Sequence, residues 1–233
     1  SGYVAAHGGH GGHGGRGSGS MGTDFGRVAG YVNLSSPFTY RFVAPHAGTY
    51  MYHCHVDTVL HVEMGMAGTV IIRPPDGSDN LAWAGGPEFD KEYVWHLHTF
   101  DSSWHDERIS GPRTVRHRPD HFMINGHDGV LAIDDPTSAV VAAPGEAVLI
   151  RLTNVGYQPA TVELGGLQFE VVASDGRPLP SPIVTTEQLV APGERYDILL
   201  TMPSTDDRTA NVSYWDIRLQ RVLGGVSTQI SNT

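Results

Sequence analysis

The sequence predicts an all-β protein of two β-sandwiches, the first of them incomplete. Short apolar runs, rich in aromatic and β-branched residues, alternate with turn signals along most of the chain, which is typical of sandwich strands. The 233 residues include 29 Gly and 15 Pro, and this content favours many turns. A polar stretch at 76–92, with Asp-Gly-Ser-Asp-Asn and Gly-Gly-Pro, interrupts the pattern. We therefore place a linker between two domains there.

The first 20 residues form a Gly- and His-rich leader. We expect this leader to be flexible, because such a composition cannot bury a core. His7, His10 and His13 recur there at a spacing of three residues. They either chelate a divalent metal ion loosely or belong to a linker without a specific site, and the sequence leaves both interpretations open.

Residues 21–75 are predicted to form the incomplete first sandwich. Two strands, at 38–43 and 48–54, are rich in aromatic and β-branched residues and are separated by a turn that contains Pro45. A third strand, at 68–73, ends before two prolines. The strands that would form the front half of a complete sandwich are not recognisable in the sequence, so we expect that half to be missing.

Residues 93–215 are predicted to form the second sandwich, and residues 216–233 a C-terminal tail. The sequence Pro-Gly-Glu introduces two strands of this sandwich, which suggests some internal similarity, although the match is short. The β-rich runs that mark its strands are 93–95, 122–126, 147–152, 168–172 and 196–200.

Composition and charge exclude several classes of function. The net charge is −10, whereas a protein that binds nucleic acid needs a basic surface. A single cysteine excludes an intrachain disulfide framework. No apolar run approaches the length of a membrane span.

The segment 50–66 contains the side chains with the strongest chemical signal. It holds the only cysteine, Cys54, together with His53, His55, His61 and three of the six methionines. Because neighbouring side chains on a strand point to opposite faces, Cys54 faces one way and its two flanking histidines the other. Cys54 can then bind one copper ion while the flanking pair binds a second metal. The backbone between them would be a short path for an electron.

Cys54 also has candidate co-ligands after it in the chain. A loop returns His61 and then Met66 towards Cys54, and one Cys, one His, a weak axial Met and a further His form the ligand set of a blue-copper centre. Met66 is preferred over Met64 as the axial ligand because of its distance from His61. The alternative is that Cys54 is a buried structural thiol and that the methionines fill gaps in a core.

The sequence Gly-Thr-Tyr-Met-Tyr-His-Cys-His, followed by a His and then Met-Gly-Met, closely resembles the copper motif of cupredoxin domains in multicopper oxidases. That family includes laccase-like and ferroxidase-like enzymes, and the copper nitrite reductases are related. The resemblance implies cupredoxin-like Greek-key sandwiches with type 1 copper on Cys54, His61 and Met66. It implies that His53 and His55 belong to a type 2/type 3 cluster that reduces oxygen, so that Cys54, His53 and His55 act in catalysis.

The further type 1 histidine comes from an upstream strand in this family. By register, residues 21–26 resemble that strand, but Met21 and Gly26 stand where histidines are expected. His46 is the nearest alternative, and its position between Pro45 and Gly48 indicates an exposed turn.

The second sandwich resembles the copper-free middle domain of a three-domain oxidase. Residues 120–129 and 191–197 carry this resemblance, and residues 158–165 have no histidine where the oxygen-binding domains have several. His96 and His98 alternate on a strand and share a face that can bind metal. Other histidines in this part of the chain are expected to be surface or hydrogen-bonded side chains: His105, His117, His121 and His127.

The resemblance implies one-electron oxidation of a small-molecule or metal-ion reductant, such as a diphenol, coupled to O₂ reduction. The copper cluster needs more imidazoles than this chain offers. A missing domain or another subunit, as in a trimer, would complete it, and the chain alone is expected to be inactive. A nitrite-reductase-like enzyme and a non-enzymatic electron-transfer protein are the alternatives. The family also implies a secreted or periplasmic location.

Overall fold

The structure, a computed structural model, describes residues 2–6, 38–55, 57–105, 116–204 and 207–233. The chain divides into two compact units, residues 1–45 and 46–233. Several sequence predictions fall outside the described residues: those for His7, His10 and His13, and for the strand at 21–26.

The described elements are almost all strands. Three short helices are described, namely α1 (Thr58–Glu63), α2 (Ser102–His105) and α3 (Gly129–Ile133). The strands are β1 (Gly2–Ala6), β2 (Phe38–Phe42), β3 (Gly48–His53), β4 (Ala67–Ile72), β5 (Lys91–Phe100), β6 (His121–Ile124), β7 (His127–Asp128), β8 (Val140–Ala142), β9 (Ala147–Asn154), β10 (Ala160–Glu163), β11 (Phe169–Ser174), β12 (Arg177–Thr185), β13 (Glu187–Val190), β14 (Arg195–Thr201), β15 (Arg208–Asp216) and β16 (Arg221–Asn232).

In the first unit, β1 and β2 form an antiparallel pair that begins with Gly2 opposite Phe42 and ends with Ala6 opposite Phe38. Strand β2 confirms the strand expected at 38–43. Strand β1 corrects the expectation of flexibility for residues 2–6. Tyr3 and Val4 favour extended backbone, and β2 supplies the pairing partner that a local view of a Gly-rich segment does not reveal.

The second unit contains a β-sandwich of two sheets. One sheet has the order β13-β10-β15-β16-β8, and the other has the order β12-β11-β14-β9-β5-β6-β7. Side chains from both sheets fill one apolar core that includes Trp95, Leu152, Val162, Ile198 and Tyr214, all essentially buried. The predicted strands of the second sandwich correspond to β5, β6, β9, β11 and β14, and the all-β prediction is confirmed.

The two Pro-Gly-Glu sequences form equivalent turns before β9 and β14. Gly145 and Gly193 both have positive φ, 88° and 87°, a conformation that favours glycine. In the first turn the carboxylate of Glu146 accepts a hydrogen bond from the Ala143 amide at 2.7 Å. In the second turn the carboxylate of Glu194 accepts one from the Ala191 amide at 2.8 Å. The equivalent turns start two strands that pair with each other in antiparallel register.

The C-terminal residues correct the prediction of a tail. Strand β16 pairs antiparallel with β15 and parallel with β8, so it is an interior strand of its sheet. Val226, Thr228 and Ile230 are buried on alternate positions and face the core. This strand is difficult to recognise in the sequence, because Gly224 and Gly225 interrupt the β pattern.

The segment 76–92, predicted as a linker, is built mainly of turns, but parts of it are packed against the sandwich. Ala82 and Phe89 are buried together with Leu149 of β9 and Val172 of β11. A β-bridge joins Leu81 and Glu88 across the segment. These contacts fix the path of the chain from β4 to β5.

Strands β3 and β4 form an antiparallel hairpin that contacts β5, β9 and β14 of the seven-stranded sheet. The hairpin carries the predicted metal-binding segment at its end. No helix among the described residues is long and apolar enough to span a membrane.

Candidate metal centre

The loop between β3 and β4 is closed by backbone hydrogen bonds that bring its two ends together. The Cys54 amide donates to the Met66 carbonyl at 3.0 Å, directly beyond the paired residues His53 and Ala67. The Met66 amide donates in turn to the His61 carbonyl at 2.8 Å. The three predicted type 1 ligands, Cys54, His61 and Met66, therefore belong to one closed loop.

Helix α1 lies inside this loop and carries His61. The side chain of Asp57 caps its first turn by accepting a hydrogen bond from the Leu60 amide at 3.2 Å. Gly65, with φ 82°, ends the helix in a conformation that favours glycine. Leu60 and Val62 are buried, so the helix presses one face into the protein while His61 is only partly buried.

Cys54 and His61 are in direct contact: Sγ of Cys54 lies 3.0 Å from Nδ1 of His61. Both side chains are partly buried. Met64 and Met66 are both exposed, to 41% and 38%, so exposure does not distinguish them as axial ligands. A thiol, an imidazole and a thioether in one loop fit a soft metal such as copper by their donor chemistry.

The histidines that flank Cys54 associate with each other. The rings of His53 and His55 are stacked, with centroids 4.7 Å apart and an interplanar angle of 26°. Nδ1 of His53 lies 3.0 Å from the Cys54 carbonyl and donates to it, which leaves Nε2 with its lone pair. This arrangement brings two imidazoles to one place beside the Cys54 backbone.

The described residues do not provide the further ligands that the resemblance implies. His46, the proposed alternative type 1 ligand, lies in an exposed bend, and its carbonyl accepts a hydrogen bond from the Tyr50 hydroxyl at 3.3 Å. Within the described ranges, no group of three or more His, Cys, Asp and Glu side chains is placed to hold a metal ion.

His96 and His98 are engaged in hydrogen bonds. Nδ1 of His96 lies 3.1 Å from the hydroxyl groups of both Thr69 and Thr153. Nε2 of His98 donates to the Val62 carbonyl of α1 at 3.0 Å. Burial lowers the pKa of both imidazoles, and the pKa of His96 falls to about 4.

A hydrogen-bonded group of buried and partly buried polar residues around α1 was not identified from the sequence as relevant to the metal centre. Glu63, which is fully buried, accepts a hydrogen bond from the Asp101 amide at 2.6 Å and another from Nε2 of His117 at 3.0 Å. Nδ1 of His117 accepts from the Gln158 amide group at 3.2 Å. The only sequence signal for Glu63 is an acidic residue on the otherwise apolar face of a short helix.

Among the remaining histidines of this part of the chain, His121 and His127 have polar partners, as predicted, whereas the buried Nε2 of His105 has no hydrogen-bond partner among the described residues. His121 pairs with Asp128 on the surface, where the Asp128 carboxylate accepts a hydrogen bond from Nδ1 of His121 and thereby raises the pKa of this imidazole. His127 lies 2.9 Å from Asp135. The ring of His105 stacks on Phe100 with centroids 3.7 Å apart.

Comparisons with known proteins agree with the fold and with the sequence motif. A family model described as multicopper oxidase matches residues 95–227, and a second model of the same description matches residues 28–76. A laccase of Arthroderma benhamiae is 30% identical over 183 residues, which cover 77% of this chain and 27% of the laccase. A copper-containing nitrite reductase of Neisseria meningitidis serogroup B is 27% identical over 59% of this chain and 34% of its own length.

Among solved structures, a blue copper oxidase from Nitrosomonas europaea superimposes with a TM-score of 0.67 and 26% identity, covering 84% of this chain and 59% of that chain. The chain therefore shares a cupredoxin-like fold with this oxidase, in addition to the similarity of sequence. The chain spans about a third or less of the length of the first curated relatives that it matches.

Proposed function

Since the chain belongs to the multicopper oxidase family, we propose that it is a copper-dependent oxidoreductase that takes single electrons from a reductant and delivers them to O₂. The contact of 3.0 Å between Sγ of Cys54 and Nδ1 of His61 is the observation that supports this proposal most directly. It joins a thiol and an imidazole across seven residues, in the loop that also contains Met66.

In this proposal Cys54, His61 and Met66 hold a type 1 copper, and His53 and His55 belong to a type 2/type 3 cluster. Copper bound to this donor set supplies one-electron chemistry. The chain orients the donors: α1 presents His61, and the hydrogen bond from Met66 to His61 closes the loop behind it. The carbonyl of Cys54 holds the tautomer of His53 that keeps Nε2 available.

The backbone of Cys54 provides the proposed electron path. His53 and His55 are its direct neighbours in the chain, and their rings are stacked on each other. Only a few covalent bonds separate the Cys54 sulfur from either imidazole, and they would offer an electron a short path between the two copper sites. This arrangement separates the place of reductant oxidation from the place of O₂ reduction while it keeps the distance between them short.

Further ligands of the cluster would come from residues outside those described or from another chain. We propose a homo-oligomer, such as a trimer, in which a neighbouring subunit completes the cluster. The reductant would be a small molecule, such as a diphenol, or a metal ion, and the protein would be secreted or periplasmic. We retain the division into a leader, a copper-bearing first sandwich at 21–75 and a second sandwich as part of the proposal.

The full chain, expressed with copper, tests this function. We expect bound copper, a thiolate-to-copper absorption band in the visible spectrum, and O₂ consumption with a phenolic or ferrous reductant once the oligomer has assembled. Cys54→Ser should abolish the band, whereas Met123→Leu, a control at a site away from the loop, should keep it. A colourless wild-type protein without bound copper would contradict the proposal.

A nitrite-reductase-like activity is the second candidate, supported by the similarity to the Neisseria meningitidis enzyme. In that case His53 would bind a type 2 copper shared between subunits. Measurement of nitrite turnover under anaerobic conditions distinguishes the two, because only the second candidate predicts turnover there. A blue protein that is inert in both assays would indicate a non-enzymatic electron-transfer protein.

A further inference from the structure

We propose that the second sandwich positions the His61 imidazole beside Cys54 by holding α1, and that His98, His117 and Tyr157 are positioning residues for the metal centre. The inference rests on the proposed function, since it assigns these residues a role in the geometry of the copper site. None of the three is adjacent in sequence to the metal-binding loop.

Tyr157 and His98 hold the backbone of α1 through hydrogen bonds to its carbonyl groups. The Tyr157 hydroxyl donates to the Val59 carbonyl at the start of the helix and also lies 3.3 Å from the Thr58 carbonyl. His98 donates to the carbonyl of Val62, in the last turn, at 3.0 Å. The second sandwich therefore holds both ends of the helix that carries His61.

The second contact is made through the buried carboxylate of Glu63. One of its oxygens accepts from the Asp101 amide, and the other accepts from His117. His117 must carry its proton on Nε2 to do so, and the amide of Gln158 donates to its other nitrogen. A hydrogen bond of 2.7 Å from the Thr99 hydroxyl to Oε1 of Gln158 orients that amide.

This chain of hydrogen bonds leaves the side chain of Glu63 little freedom. The carboxylate is fully buried, and loss of its partner His117 would leave one oxygen unsatisfied in the interior. Glu63 lies two residues after His61 on a helix of only six residues. Such a helix is not stable by itself, so its orientation depends on contacts of this kind.

The clamp formed by His98, His117 and Tyr157 thus controls a helix whose direction sets the position of His61. Groups that orient metal ligands typically contribute 10–100-fold in metal affinity. We expect the loss of one clamp residue to weaken copper binding and to alter the spectrum of the bound copper, beyond any effect on overall stability.

The test compares three variants of the full chain. His117→Leu removes both hydrogen bonds of the ring, while His117→Gln keeps an N–H group for Glu63. His96→Leu is the matched control, because His96 is also a partly buried, hydrogen-bonded histidine, but its side chain bonds to Thr69 and Thr153 and not to α1. Hydrogen exchange of residues 58–66 in the metal-free protein reports on the clamp. Copper affinity, visible absorption and copper hyperfine splitting report on the site.

For His117→Leu we expect faster exchange in 58–66, about 10-fold weaker copper binding and a changed hyperfine splitting. His117→Gln should restore these values most of the way, and His96→Leu should leave them unchanged. The inference is wrong if both Leu variants only lower the melting temperature. A wild-type protein without a thiolate–copper band would refute the proposed function, whereas unchanged exchange in His117→Leu would refute the clamp itself.

Discussion

Arg151 and Asp197 form an ion pair in the interior of the protein, with Nη1 of Arg151 3.1 Å from Oδ2 of Asp197 and neither side chain more than 1% exposed. The Thr49 hydroxyl of strand β3 donates to the other oxygen of Asp197, and Nε of Arg151 donates to Glu92 at 2.7 Å. The group therefore joins the hairpin that carries the metal-binding loop to the seven-stranded sheet.

Removal of Asp197 should be costly, because Nη1 of the buried Arg151 loses its carboxylate partner and the Thr49 hydroxyl loses its acceptor, so that Glu92 alone pairs with the guanidinium. We expect Asp197→Ala to lower the free energy of unfolding by about 3–5 kcal/mol, measured by urea denaturation. Arg116→Ala is the matched control: it breaks the pair between Arg116 and Asp216, in which the arginine is half exposed, and should cost less than about 1 kcal/mol. Equal losses in the two variants would contradict a structural role for the buried pair.

Met66 and Met64 can be distinguished by substitution. We expect Met66→Leu to preserve copper binding and to raise the reduction potential, since loss of a weak axial donor destabilises the oxidised metal more than the reduced metal. Met64→Leu should leave the potential unchanged. Redox titration of the visible absorption band provides the measurement. The opposite pattern would assign the axial position to Met64.

The histidines beside Cys54 should affect O₂ reduction but not the type 1 site. We expect His53→Ala and His55→Ala to keep the thiolate–copper band and to lose O₂ consumption. His61→Ala should lose or strongly alter the band itself, because His61 is the imidazole in contact with Cys54. Absorption spectra and oxygen-electrode assays of the same preparations test this. Loss of the band in His53→Ala would instead indicate that His53 is a ligand of the type 1 copper.

His96 should make stability depend on pH. Burial lowers its pKa from 6.5 to about 4, so between these values the unfolded chain binds a proton that the folded protein does not. Its contribution is complete above pH 6.5, decreases as the pH falls towards 4 and is constant below that. The loss amounts to about 3 kcal/mol at most.

The variant His96→Gln keeps hydrogen-bonding groups near Thr69 and Thr153 but cannot titrate. We expect the difference in unfolding free energy between wild type and variant to change across this pH interval and to be flat outside it. Denaturation curves at a series of pH values provide the measurement. Parallel pH profiles for the two proteins would show that His96 does not carry this dependence.

The strands of the second sandwich could be predicted because their signal is local. In β9 and β14, a Pro-Gly-Glu turn is followed at once by a run of apolar residues, and both strands form as expected. Strand β16 is not recognisable in the sequence because two glycines interrupt it and because a polar residue, Thr228, occupies one of its core-facing positions. Its pairing with β15 and β8 supplies the stability that its own sequence does not indicate.

The proximity of Cys54 and His61 also follows from local sequence, since a strand end, a capped helical turn and a glycine close the loop that joins them. By itself, then, the sequence determined the fold class, most strands of the second sandwich and the grouping of soft donors in one segment. Only the tertiary structure decided that Glu63 meets His117 and that Thr49 meets Asp197. The partners in each pair are far apart in the chain. They come into contact because each is buried against a particular neighbour in the fold, and no local sequence pattern specifies that neighbour.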